Sequence, residues 1–318
     1  MSVIEISDTQ SGSRAAIAVE SGFNCFRFVP RQGNQELNVI HAEDDFEEGN
    51  RPPSHNGIPV LFPFPNRIRS GKYSWDGQDY ELPESLVGYD GSGNAIHGFC
   101  LDRPWRVEKQ TESSVTGVFQ ISQDAADRAS LWPADARLSV QYTVSETTLR
   151  SDFTVHNPDV KPLPWGLGTH AYFRLPLGGA DAAQCTVFAP VIHSRQLSEC
   201  LPTGKTVEIP ADAALQESPL FSSLKLDDAF SGLHPSTNGS VETRLTDPDS
   251  GHQVIQRFSA DFQELIAFTP PWTSAICLEP YTCATDAINL VNQGFDAGLR
   301  VLEPGDTWTG FIEIEAQF

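Results

Sequence analysis

The sequence predicts an all-β protein of the sandwich or barrel type, and three observations lead to this fold class. Apolar and polar residues alternate with a period of two in several segments, as in strands with one buried face. The chain contains 24 glycines and 23 prolines, spread along its length, which divide it into short segments. No stretch of useful length shows the periodicity of an amphipathic helix. Many short strands with frequent turns are typical of sandwiches and barrels.

Two alternating segments near the middle of the chain predict a β-hairpin. Every second residue is apolar in 138–144, and a similar alternation runs through 149–156. The residues between them, 145–148, are polar and form a connection short enough for a hairpin. We therefore expect two adjacent antiparallel strands here.

Further strands are predicted in the second half of the chain. Residues 265–268 and 275–278 are short apolar runs between turn residues, which is consistent with buried strands. Residues 310–316 read as another strand, and a short helical turn is expected near 212–215. Hydrophobic residues make up 39% of the chain, enough for a sizeable core, and no composition shift marks a linker. We expect one domain over residues 1–318.

The charge balance excludes several classes of partner. The chain has 21 Lys+Arg and 42 Asp+Glu, a formal net charge of -21. Nucleic acid and anionic membrane surfaces are bound through clustered cations, which this sequence lacks, so we expect neither partner. No apolar stretch is long enough to span a bilayer.

The N-terminal residues and the cysteines indicate a cytoplasmic protein. Residues 1–8 have no basic segment followed by an apolar run, so no signal peptide is expected. The six cysteines are scattered and contain no Cys-x-x-Cys pair. We expect reduced thiols, as is usual in the cytoplasm.

Ionisable groups combine with aromatic or turn residues in four places, and each place alone also permits a purely structural role. Asn66 and Arg67 end a rigid proline-rich segment, where they would donate to hydroxyls, although Arg67 taken alone favours an ion pair with an acidic neighbour. His97 precedes a glycine, which hints at a close approach of backbone or ligand. His170 lies among aromatic residues that include Tyr172, and such rings pack against the C–H faces of sugars.

The fourth place is Glu279, which closes an apolar run. Burial at a strand end raises a carboxyl pKa toward the range that suits a general base. An exposed glutamate after a strand is the alternative when this position is considered alone. Asp227 and Asp228 form either a hydroxyl-binding loop or a solvated turn. No metal-binding, nucleotide-binding or nucleophile motif was found, so we expect no metal and no cofactor.

Together and in this order, these segments resemble the aldose 1-epimerase (galactose mutarotase) family. The resemblance runs from Gly57 to the C-terminal strand. It is carried by LFPFPNRI (61–68) with GKYSWDGQDYELP (71–83), IHGF (96–99), GLGTHAYFRLP (166–176), LDDAF (226–230), LEPYT (278–282) and LEPGDTWTGFIEI (302–314). It implies a large antiparallel β-sandwich that binds a sugar across a concave face.

The resemblance also implies residue roles. Glu279 matches the general base and His170 the general acid of this family. The matched sugar-binding positions are Arg67 with Asn66, His97, Asp227 and the wall residue Tyr172; a slip to Asp228 remains open. The glutamate is expected to start ionised and the histidine protonated near neutral pH.

The implied activity is the interconversion of the α and β anomers of a free hexose. Two alternatives remain: a hexose-6-phosphate 1-epimerase, and a non-catalytic carbohydrate-binding or sensing protein on the same fold. The expected partner is a small-molecule sugar, and the chain is a monomer or a homodimer. Galactose, glucose, other aldoses and acidic or sulfonated sugars all remain open.

Overall fold

Alternating apolar and polar residues produce strands with one buried face, and the predicted hairpin shows this. In the computed structural model, which describes residues 1–318, Arg137–Ser145 and Thr148–His156 pair as antiparallel strands. Every second residue of both strands is buried, including Val140 and Phe153. The hairpin prediction is confirmed, and the turn is only two residues long.

Strands dominate the chain, and its helices are short. The 27 strands, in chain order, are β1 (Val3–Ser7), β2 (Arg14–Ala18), β3 (Asn24–Val29), β4 (Arg31–Gln32), β5 (Gln35–Glu36), β6 (Val60–Leu61), β7 (Arg67–Ile68), β8 (Lys72–Trp75), β9 (Gln78–Glu81), β10 (Ala95–Ile96), β11 (Arg106–Gln110), β12 (Ser114–Gln120), β13 (Arg137–Ser145), β14 (Thr148–His156), β15 (Leu163–Trp165), β16 (Gly168–Thr169), β17 (Tyr172–Arg174), β18 (Thr186–Phe188), β19 (His193–Ser198), β20 (Leu201–Val207), β21 (Asp227–Ser231), β22 (Ser240–Thr246), β23 (Gln253–Ser259), β24 (Glu264–Phe268), β25 (Ala275–Tyr281), β26 (Arg300–Leu302) and β27 (Thr307–Gln317). The α-helices are α1 (Ile121–Asp124) and α2 (Ala287–Asn292). Short 3-10 helices span Phe46–Glu48, Pro53–His55, Arg69–Gly71, Ala126–Leu131, Ala182–Gln184, Ala211–Ala213, Leu215–Glu217 and Phe221–Ser223. The expected helical turn near 212–215 is therefore present, and the predicted strands at 265–268, 275–278 and 310–316 are confirmed.

Two large antiparallel sheets form a sandwich-like, all-β fold, as expected. The first sheet has the order β11-β12-β13-β14-β27-β23-β22-β18. The second has the order β20-β19-β21-β24-β25-β16-β6, with β17 paired to β25. A smaller sheet, β1-β2-β3, is formed by the first strands of the chain.

The core and the site lie on opposite faces of the second sheet. Leu265 on β24 and Ile276 and Leu278 on β25 belong to a buried cluster of 63 residues that also contains residues of the first sheet. Because side chains alternate along a strand, Glu279 and Tyr281 point to the other face. Loops cover that face, so Glu279 is only 1% exposed.

No helix of this structure is long and apolar enough to cross a membrane.

Candidate active site

A cleft of about 310 Å³ lies over the outer face of the second sheet and gathers the predicted site residues. All seven line it, although they are spread from position 66 to position 279: Asn66, Arg67, His97, His170, Tyr172, Asp227 and Glu279. The strands β21 and β25 supply the two carboxylates, and the loops around β7, β10 and β16 supply the other polar side chains.

Glu279 and His170 face each other across the floor of this cleft. The Nε2 atom of His170 lies 3.3 Å from Oε1 of Glu279. The hydroxyl of Tyr281, two residues further along β25, donates a hydrogen bond to the other carboxyl oxygen, Oε2. One oxygen of Glu279 is therefore fixed by the protein, and the other is directed at the imidazole.

The imidazole of His170 is held by the backbone and by aromatic rings. Its backbone N–H donates to the carbonyl of Pro59, which fixes the residue at the end of β16. The ring stacks on Tyr172 at 4.8 Å between centroids and meets His97 edge-on at 5.6 Å. Tyr172 is itself fixed because its hydroxyl donates to the carbonyl of Ser54.

Burial determines the charge of the pair. Loss of water lowers the pKa of His170 to about 3. Burial also raises the pKa of Glu279 well above its usual value, although the hydroxyl of Tyr281 opposes this. Desolvation therefore favours the neutral form of each group. This differs from the ionised glutamate and protonated histidine expected from the sequence, because desolvation disfavours both charges.

Arg67 forms an ion pair with an acidic neighbour and also lines the cleft. From the sequence these two roles were alternatives. The Nε of Arg67 donates to Asp90 at 2.6 Å and its Nη1 donates to Asn66 at 2.9 Å. Burial raises the pKa of Asp90, but hydrogen bonds from Asn94 and Arg67 outweigh this and hold it below its usual value. The guanidinium is therefore held in one orientation by a charged partner.

The loops that carry Asn66 and His97 are joined backbone to backbone. The N–H of His97 donates to the carbonyl of Asn66 at 2.8 Å, and both residues have positive φ angles, 68° and 55°. Next to them, a Cβ on Gly98 would lie 2.2 Å from the carbonyl oxygen of Phe62. The glycine after His97 is thus required by a close backbone approach, as its position in the sequence suggested. Positive φ at two non-glycine residues is typical of strained functional sites.

The two neighbouring aspartates on β21 point in opposite directions. Asp227 lines the cleft, and Asp228 does not. Half-burial outside the cleft raises the pKa of Asp228. The alternation along the strand therefore favours Asp227 as the sugar-facing carboxylate.

Several lining residues were not found from the sequence. Asp90 lies in a Gly- and Ser-containing turn just before His97. A search of the sequence for acidic partners of Arg67 would have found it. The rings of His55 and Trp272 pack against each other at the cleft mouth, 4.9 Å between centroids and tilted by 34°, and Trp272 is 48% exposed. Both belong to proline-rich segments whose sequence signals only a loop. Tyr281 lies in the recognised segment around Glu279, and strand alternation alone would have pointed to it.

Comparisons with known proteins identify the family of this chain. A family model described as aldose 1-epimerase matches residues 6–315. YihR, an uncharacterised protein of Escherichia coli K12, is 25% identical over 267 residues, which is 84% of this chain and 80% of YihR. YphB, also uncharacterised and from the same strain, is 22% identical over 286 residues, or 84% of this chain and 88% of YphB.

Solved structures share the fold along the entire chain. A galactose mutarotase-like protein of Clostridium acetobutylicum superposes with a TM-score of 0.82 at 20% identity, covering 100% of this chain and 98% of the other. A GalM/aldose epimerase homologue of Caenorhabditis elegans gives a TM-score of 0.80 at 18% identity, covering 99% and 98%. Identities this low establish the fold and no more. The family model, which extends over nearly the whole sequence, shows that this chain belongs to the aldose 1-epimerase family.

Proposed function

We propose that the protein interconverts the α and β anomers of a neutral aldose by acid–base catalysis with Glu279 and His170. The observation that carries this proposal is the 3.3 Å approach of the carboxyl Oε1 to the imidazole Nε2 on a desolvated cleft floor. A sugar-binding protein without catalysis gains nothing from burying such a pair, because burial of titratable groups costs free energy.

The reaction requires two proton transfers that the pair is suited to perform. A carboxylate of Glu279 removes the proton from the C1 hydroxyl while the imidazolium of His170 protonates the ring oxygen, and the C1–ring oxygen bond breaks. The products are an open-chain aldehyde, a carboxylic acid and a neutral imidazole. Rotation about C1–C2 followed by the reverse transfers gives the other anomer. A positioned acid or base contributes roughly 10²- to 10⁴-fold in rate.

The environment of the pair favours the protonation state that accompanies the open-chain sugar. Burial disfavours both the carboxylate and the imidazolium, so the cleft stabilises the state in which both are neutral. Proton transfer from the C1 hydroxyl to an ionised Glu279, coupled to transfer from a protonated His170 to the ring oxygen, is therefore energetically assisted, because it leaves both groups neutral.

The charges that line the cleft support a neutral sugar over a hexose 6-phosphate. Arg67 is the one Lys or Arg that lines it, and its guanidinium is already bonded to Asp90. Asp227 adds a further negative group, and burial lowers the pKa of His97, so that imidazole is uncharged. A phosphate dianion would find no free cation here.

The proposal predicts which substitutions abolish mutarotation. Glu279→Gln and His170→Asn should each lower the rate by about 10²- to 10⁴-fold, since each removes a proton-transfer group. Polarimetry on freshly dissolved α-glucose and α-galactose measures this. The exposed residues Glu303 and His234, outside the cleft, supply the controls Glu303→Gln and His234→Asn, which should keep full activity. Near wild-type rates in the Glu279 variant would end the assignment.

A second measurement separates the alternatives. Initial rates on glucose, galactose and glucose 6-phosphate should be highest for a neutral sugar. Faster turnover of the phosphate ester would favour the hexose-6-phosphate enzyme. Saturable sugar binding by the wild type without mutarotation of any aldose would favour the carbohydrate-binding protein.

A further inference from the structure

A cysteine thiol lies beside the Glu279–His170 pair. Cys277 precedes Glu279 by two residues on β25, so both side chains lie on the same face of the sheet. The ligand atoms of His170, Cys277 and Glu279 all lie within 4.8 Å of one another. All three residues are buried, and the proposed reaction does not use the thiol. A nitrogen, a sulfur and an oxygen donor thus converge, and of the three residues His170 and Glu279 line the cleft while Cys277 is fully buried beside them.

We propose that His170, Cys277 and Glu279 form a binding site for a borderline-soft divalent cation such as Zn²⁺, and that the bound cation inhibits the enzyme. The metal site rests on the geometry of these three side chains alone. The inhibition also rests on the proposed function, because it requires that His170 and Glu279 transfer protons.

The distances match a tetrahedral site. Two ligands at about 2.0 Å from a tetrahedral zinc ion are separated by about 3.3 Å, and Nε2 of His170 lies 3.3 Å from Oε1 of Glu279. A zinc–sulfur bond of about 2.3 Å would place the sulfur about 3.5 Å from each of these atoms. Because the ligand atoms now lie up to 4.8 Å apart, the thiol would have to move closer by at most about 1.3 Å. Thiolate and imidazole together select zinc or copper over magnesium or calcium.

The surroundings of the three donors accommodate a cation. Oε2 of Glu279 accepts from Tyr281, which leaves Oε1 for the metal. The guanidinium of Arg67 is neutralised by Asp90, and Asp227 lies at the same cleft. Binding of one Zn²⁺ releases one proton from the carboxyl and one from the thiol to solvent. The product is a neutral assembly of Zn²⁺, a carboxylate, a thiolate and an uncharged imidazole.

Occupancy of this site would stop both proton transfers. The metal would use the imidazole lone pair and the carboxylate oxygen that the sugar reaction needs. Three protein ligands leave the fourth tetrahedral position for water or for a sugar oxygen. Inhibition should therefore be reversible by chelation.

Cobalt spectroscopy tests the site without reference to activity. We expect EDTA-treated full-length protein, titrated with Co²⁺, to develop one equivalent of a thiolate-to-cobalt band in the near ultraviolet, with tetrahedral bands in the visible. Cys277→Ser should lose the thiolate band. Cys200→Ser is the matched control: this thiol also lies near the cleft, 3.6 Å from Asp227, and the band should persist without it. Absence of the band in the wild type, or its loss in the Cys200 variant, would overturn the proposal.

Inhibition supplies the second readout. Zn²⁺ should inhibit wild-type mutarotation, and EDTA should restore it, whereas Mg²⁺ should have no effect. In Cys277→Ser the half-inhibitory Zn²⁺ concentration should rise at least about tenfold, the lower end of the loss seen when even an outer-shell partner is removed. A thiolate band with no mutarotation of any sugar would leave the metal site standing and refute the proposed function. Mutarotation without the band would refute the metal site and leave the proposed function in place.

Discussion

At the scale of single residues, the hydroxyl of Tyr281 binds one carboxyl oxygen of Glu279 and leaves the other oxygen available for the proposed reaction. This hydroxyl is buried and donates to Oε2, so Oε1 is left to face His170. The same hydrogen bond stabilises the ionised form of Glu279 against the effect of burial. Tyr281 is therefore a positioning residue, which acts on the sugar only through Glu279.

Tyr281→Phe should lower kcat with little change in KM. A hydrogen bond to a charged group contributes about 1.5–3 kcal/mol, which corresponds to a roughly 10- to 100-fold loss in rate if it is felt fully in the transition state. Polarimetric kcat and KM on the preferred aldose measure the effect.

Tyr73→Phe is the matched control for this prediction. Tyr73 is also buried, and its hydroxyl donates to the carbonyl of Leu131 outside the cleft. Its variant should lose stability without losing kcat. Equal kcat losses in both variants would show that Tyr281 matters only for folding.

The residues of the site could be predicted only where they form a local motif. Asn66, Arg67, His97, His170 and Glu279 are each weak candidates alone and were identified because their segments, taken together and in order, resemble one family; all five line the cleft. His55 and Trp272 meet at its mouth although 217 positions separate them, and the proline-rich sequence of each segment indicates only a loop. Their contact depends on how the loops fold over the sheet, which local patterns do not contain.

At the scale of secondary-structure elements, β16 and β25 fit together through a single glycine. Gly168 on β16 is the register partner of Tyr281 on β25. A Cβ on Gly168 would lie 2.2 Å from a ring carbon of Tyr281 and 3.0 Å from Cβ of Pro65. The absence of a side chain at Gly168 therefore leaves room for the tyrosine ring beside the carboxyl of Glu279.

Gly168→Ala should destabilise the fold and impair the site. Overpacking of this kind costs about 1–3 kcal/mol, and the displaced ring would no longer hold Glu279. Denaturant unfolding and polarimetry measure the two effects. Gly91→Ala is the control, because a Cβ added there would have no neighbour within 4 Å and its φ is not positive. An unchanged free energy of unfolding in the Gly168 variant would contradict the packing argument.

The elements that sequence patterns predicted are the long ones. The hairpin β13–β14 and the strand β27 extend for 9, 9 and 11 residues, which is enough for an alternation to be read. The strands β6 and β16, which frame the site, have two residues each, and α2 has six. Such elements are too short for any periodicity, and they exist because tertiary contacts fix them.

At the scale of the whole molecule, negative charge is in large excess. The chain has 42 acidic and 21 basic side chains, so at least 21 acidic groups have no basic partner by count. Mutual repulsion of these groups opposes the compact state, and it is screened when the ionic strength rises. Exposed ion pairs weaken under the same conditions, but each contributes little.

Added salt should therefore raise the melting temperature. A gain of about 1 kcal/mol between 10 and 150 mM NaCl, over which the Debye length falls from about 30 to about 8 Å, corresponds to about 2 °C. Calorimetry at constant pH measures the shift. Choline chloride should act like NaCl if screening is the cause. A melting temperature that falls with salt would show that the ion pairs outweigh the repulsion.

The position of β27 in the first sheet has a consequence for biosynthesis. This strand, Thr307–Gln317, lies between β14 and β23, so it joins two halves of the sheet that otherwise do not touch along their edges. Before β27 has been synthesised, β14 and β23 each present an unpaired edge. Their common partner β27 begins more than 40 positions after the end of β23. Such long-range pairing is slow and exposes nascent strands to aggregation. Completion of the sheet should therefore be a late folding event, which requires that β27 has first been synthesised.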